Sequence, residues 1–91
     1  MKERITVRYE GRVQGVGFRF TVVNLAQEFD VTGFVKNEFD GSVSMVAEGG
    51  HDRLMELLQA VKTSRLDRFI TGEQVHLSEA TGEFEQFKVA Y

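Results

Sequence analysis

A chain of 91 residues with a net charge of −3 is expected to form one small domain over residues 1–91. It holds no cysteine and two histidines, so disulfides and thiolate chemistry are excluded and no dedicated zinc site is expected. The acidic balance argues against a general nucleic-acid binder, which draws its affinity from many neutralised phosphates, but it leaves room for one small anion held locally. No apolar run approaches the ~20 residues of a membrane span, and the first residues lack a signal-peptide core. No membrane association is expected, and a cytoplasmic protein is.

The elements follow from hydrophobic periodicity. Residues 4–10 alternate, with Ile5, Val7 and Tyr9 on one face, and read as a strand. A loop carrying Gly11, Gly15 and Gly17 hands over to a helix that the apolar positions Phe18, Val22, Leu25, Ala26 and Phe29 extend to about Asp30. Residues 31–37 are rich in β-formers, Asp40-Gly41 signals a hairpin, and residues 42–48 return as a third strand that Gly49-Gly50 is expected to break. Residues 52–61 form a second helix with Leu54, Leu57, Leu58 and Val61 on one face. The pattern is weakest over residues 63–72. Residues 73–80 alternate around Val75 and Leu77, and Phe87, Val89 and Tyr91 mark a last strand. The order βαββαβ plus a short final strand predicts a ferredoxin-like α+β fold: a mostly antiparallel sheet, two helices on one face, and right-handed crossovers that set strand one beside strand three. That fold hosts many functions and settles no chemistry.

The glycine loop is where chemistry is most readily placed. Glycines let backbone N–H groups turn inward, and the helix start adds unpaired donors and a partial positive charge, which suits a phosphate or another tetrahedral anion. Arg19 lies in the first helical turn, where a cation opposes the macrodipole at a cost of up to ~1 kcal/mol. An anion between loop and guanidinium would reverse that sign. The alternative is a tight strand-to-helix turn with a solvated arginine, because Gly15-Val16-Gly17 completes neither a phosphate-loop nor a dinucleotide fingerprint. Asn37, the second candidate beside Arg19, closes the second strand just before the hairpin Glu38-Phe39-Asp40-Gly41 and by itself reads as a turn-favouring residue. His51 reads as a helix-start residue and His76 as an exposed strand residue. Glu83, Glu85, Asp52 and Glu56 read as solvated faces.

Taken together, these residues resemble the acylphosphatases. The first motif of that family looks like Gly11-Arg12-Val13-Gln14-Gly15-Val16-Gly17-Phe18-Arg19, and the second like Gly33-Phe34-Val35-Lys36-Asn37-Glu38-Phe39-Asp40-Gly41-Ser42-Val43, at the family's usual separation. Ala47-Glu48-Gly49 and the aromatic close of the chain are similar too. The resemblance implies a metal-independent hydrolase, with no cofactor, acting on carboxyl–phosphate anhydrides. It implies that Arg19 binds the phosphate with backbone N–H groups of Gly15, Val16, Gly17 and Phe18, that Asn37 positions the attacking water, and that inorganic phosphate or sulfate fits the same loop. A monomer is expected. The chain departs from the family in having no proline, where members commonly carry a proline segment after the second helix. Two other classes stay open: a non-catalytic anion-binding module on the same fold, as in larger carbamoyl-transfer proteins, and an RNA-binding sheet, for which Arg8, Ser42, Ser44 and Val46 make a poor stacking platform.

Overall fold

Alternation in the first strand places Ile5, Val7 and Tyr9 in the core and Thr6 in solvent. In the computed structural model, which describes residues 1–91, this strand is β1, Lys2–Gly11. It is followed by α1 (Phe18–Ala26), β2 (Thr32–Asn37), β3 (Val43–Gly50), α2 (His51–Thr63), a 3-10 helix (Arg65–Phe69), β4 (Ile70–Glu79) and β5 (Phe87–Ala90). The sheet order is β4-β1-β3-β2-β5, so strands one and three are central neighbours as the crossover rule requires. Three pairings are antiparallel, and β2 with β5 is parallel. Both helices cover one face: Phe18, Val22 and Ala26 of α1, and Leu54, Leu57 and Val61 of α2, are buried against the inward side chains of the sheet. Full burial of each of the larger aliphatic side chains is worth roughly 1.5–3 kcal/mol. No helix is long and apolar enough to cross a membrane.

Three boundaries differ from the sequence reading. The first helix stops at Ala26; tighter turns then carry the chain, with Glu28 N–H donating to Leu25 O and Phe29 N–H to Ala26 O, until Asp30 takes a left-handed φ of 54°. Phe29 still packs on the core, which explains why its apolar spacing looked helical. Gly49 and Gly50 do not break the third strand but pair with Glu3 and Lys2. Residues 63–72 contain the 3-10 helix and the start of β4. Val75 and Leu77 are only half covered, at 42% and 47% exposure, because β4 is the sheet edge while the helices pack mainly on the inner strands and β5.

One buried carboxylate ties the sheet to its longest loop. Glu48, 4% exposed, accepts hydrogen bonds from Arg4 Nε (2.7 Å), Thr81 N–H (2.9 Å), Thr81 Oγ1 (3.1 Å) and Gly82 N–H (3.0 Å). Burial alone would raise its pKa, but these donors outweigh it and hold the group down at about 2. A folded pKa below the unfolded one contributes stability above roughly pH 4.5 that is lost as pH falls toward the folded pKa. The expected size is roughly 2–3 kcal/mol. Glu48→Gln is therefore expected to lower the unfolding free energy at pH 7 and to flatten its decline between about pH 5 and pH 3, measured by urea titration. An unchanged acid limb in the variant would assign the acid sensitivity to other carboxylates.

Candidate active site between the first strand and the first helix

The site begins with a backbone irregularity. The register of β1 against β4 shifts between Glu10 and Gly11, and Arg12 N–H donates to Phe69 O at 3.0 Å. Gly11 has φ +126°, and a Cβ there would lie 2.2 Å from Phe69 O, so only glycine lets the chain leave the sheet here. Buried Val13 then anchors the loop to the core. Gly17 is the N-cap of α1, left-handed at φ 76° and ψ 23°, and offers no side-chain cap. The helix opens with the bond from Thr21 N–H to Gly17 O. The backbone N–H groups of Gly15, Val16, Gly17, Phe18, Arg19 and Phe20 make no hydrogen bond within the protein. They are the orphan donors that a helix start leaves, without the serine or aspartate that usually answers them.

Five of these six residues line a cleft of about 160 Å³, bordered by Val13, Gly15, Gly17, Phe18, Arg19, Phe20 and Asn37. Arg19 and Asn37, singled out from sequence, thus share one cleft. Val16 does not line it; its side chain packs on the core. No carboxylate lies within salt-bridge distance of Arg19. Its guanidinium carbon sits 5.2 Å from the centroid of the Tyr91 ring, a cation–π contact that holds the side chain without neutralising it.

Asn37 is the last residue of β2 and pairs with Val43 across the hairpin. The turn is closed by Glu38 N–H to Ser42 O at 2.9 Å and Gly41 N–H to Glu38 O at 3.2 Å. Asp40 Oδ1 accepts from Ser42 N–H (2.9 Å) and Ser42 Oγ (2.6 Å), while Arg8 pairs with Asp40 Oδ2. The Ser42 hydroxyl and amide, and then Arg8, hold the Asp40 carboxyl well below the usual carboxylate range.

The two halves are joined by Gln14, which was not singled out from sequence as a functional residue. Its Nε2 donates to Glu38 O at 2.7 Å and to Ser42 O at 2.9 Å, fixing the glycine loop against the hairpin that carries Asn37. An amide nitrogen with two hydrogens meets two turn carbonyls, each of which already accepts one backbone bond and takes Gln14 on its second lone pair. No sequence signal apart from its place inside the loop motif marks it. His51 and His76 lie outside the cleft: His51 Nδ1 meets Glu3 Oε1 at 2.6 Å, and His76 pairs with Thr6 on the exposed face.

Comparison with known proteins identifies a family for the chain. The family model described as Acylphosphatase matches residues 5–89. An acylphosphatase from Salinibacter ruber is 43% identical over 88 residues, covering 97% of this chain and 93% of that protein. The crystal structure of acylphosphatase from Bacillus subtilis superposes with a TM-score of 0.90 at 34% identity, covering 98% of this chain and 99% of that one. A full-length HypF in its phosphate- and nucleotide-bound form contains a similar region, with a TM-score of 0.91 and 28% identity over 100% of this chain but 12% of that one. A family model over nearly the whole chain, a matching fold and near-complete coverage of both this chain and its relatives lead to one conclusion: this chain belongs to the acylphosphatase family, enzymes that hydrolyse small acyl phosphates.

Proposed function

We propose that the phosphoryl group of the substrate sits in the cleft on the N–H groups of Gly15, Val16, Gly17 and Phe18 and on the Arg19 guanidinium, and that Asn37 orients the attacking water. The observation that carries this reading is that Gly15, Gly17, Phe18 and Phe20, each with an unpartnered N–H, line one cleft together with Arg19, which meets no carboxylate, and Asn37. The water oxygen forms a bond to phosphorus. The bond from phosphorus to the acyl oxygen breaks, and the carboxylate leaves with its electron pair. Asn37 is not basic near neutral pH, so it aligns the water without deprotonating it. The water proton passes to a phosphoryl oxygen. Little covalent work falls to the protein, and the donors act by position and by stabilising charge on the equatorial oxygens.

Hydrolysis of benzoyl phosphate, followed with and without EDTA, tests this assignment. None of the cleft residues offers a carboxylate, imidazole or thiolate, so chelation is expected to leave the rate unchanged. A rate abolished by EDTA and restored by a divalent cation would replace the mechanism with a metal-assisted one. Phosphate binding without turnover would favour the anion-binding module. Inorganic phosphate is expected to compete with substrate for the same donors.

A further inference from the structure

The stretch that departs from the family by lacking proline has a defined shape, and one of its side chains reaches the loop. Ser64 caps the 3-10 helix: its Oγ accepts from Leu66 N–H at 3.1 Å and donates to Val61 O at 2.7 Å. Leu66 is fully buried and pins the segment to the core. Between them, Arg65 projects across to the start of α1. Its Nη2 donates to Val16 O at 2.9 Å and to Thr21 Oγ1 at 3.0 Å. No carboxylate lies within salt-bridge distance of it, and it does not line the cleft.

We propose that Arg65 is a positioning residue of the phosphate-binding loop: by gripping the Val16 carbonyl from outside the cleft it fixes the direction of the Gly17 N–H. A trans peptide is planar, and its carbonyl and N–H point opposite ways. The chain has no cis peptide, so a Val16 carbonyl held outward turns the Gly17 N–H the other way. Gly17 is left-handed and has no Cβ, so its own side chain does not fix the orientation of that peptide. A Cβ at Gly17 would lie 2.9 Å from Arg65 Nη2, which shows how closely the guanidinium approaches. The second bond, to Thr21 in the first turn of α1, ties that peptide to the helix whose donors complete the site. The charge of Arg65 also lies behind the loop with no nearby carboxylate to cancel it, and so favours an anion in front.

This inference rests on the reading that the loop holds the phosphoryl group, so Arg65→Ala is compared with Arg19→Ala. Competitive inhibition by inorganic phosphate is measured for both, alongside kcat, KM and thermal midpoint. A charge-assisted hydrogen bond of ordinary strength predicts a phosphate inhibition constant about tenfold weaker for Arg65→Ala. Low, non-denaturing guanidinium chloride is expected to recover part of that loss, with sodium chloride at equal ionic strength recovering none. The phosphate-induced shift of the Gly17 amide resonance is expected to shrink in the variant. Wild-type phosphate inhibition in Arg65→Ala, with inhibition lost in Arg19→Ala, would overturn the inference alone. Wild-type inhibition in both variants would overturn the loop reading itself. Weakened inhibition with a lowered thermal midpoint and no guanidinium rescue would make Arg65 merely structural and would also overturn it.

Discussion

Arg19→Ala is expected to lower kcat/KM for benzoyl phosphate by at least about a hundredfold, ~3 kcal/mol or more of transition-state stabilisation. The guanidinium is held in the cleft by the Tyr91 ring and meets no carboxylate, so its charge is available to the substrate. As the leaving carboxylate departs, negative charge redistributes over oxygens that a planar fork can contact in pairs. Arg19→Lys is expected to recover little, because a single ammonium replaces that fork. Inhibition by inorganic phosphate should weaken along with activity. Steady-state kinetics with phosphate as inhibitor checks both, and an Arg19→Ala enzyme within tenfold of wild type would remove Arg19 from the centre of the mechanism.

Asn37→Ala is expected to separate binding from turnover. Asn37 closes β2 at the cleft wall, its backbone placed by the hairpin pairing to Val43 and the turn that follows it held by Gln14. If Asn37 orients the water as proposed, truncation removes that guide and leaves Arg19 and the N–H donors where they are. A drop in kcat on the order of a hundredfold is expected, typical of a lost positioning group, with phosphate inhibition changed by less than about threefold. Asn37→Asp should be no better than alanine, since a carboxylate beside the phosphoryl oxygens repels them. Full turnover by Asn37→Ala would assign the water to another group.

The strands, both helices and the glycine loop were legible because each announces itself locally. Alternation marks β1, the Asp40-Gly41 turn marks the hairpin, and glycines ahead of a helix start mark the loop that lines the cleft. Arg19 and Asn37 were legible as well, one for sitting against the macrodipole and one for its place in a long motif. What stayed hidden are polar side chains whose meaning depends on a distant partner. Gln14 meets carbonyls 24 and 28 residues on, Glu48 meets donors 33 to 44 residues away, and Arg65 meets the loop across 44 and 49 residues. In sequence each looks like an ordinary surface residue. The end of α1 was misjudged for a related reason: Phe29 keeps helical spacing although the backbone beneath it has already turned.

The bridge made by Gln14 also bears on when the enzyme becomes competent as it folds. The two groups it unites belong to segments that meet only after β1 has docked along β3, a pairing between residues far apart in the chain and therefore slow to form. A chain with both helices wound but β1 not yet docked would have every reactive group and no working centre. Turnover is thus a reporter of this long-range closure, and it should reappear later than the helical signal when the protein is returned from denaturant.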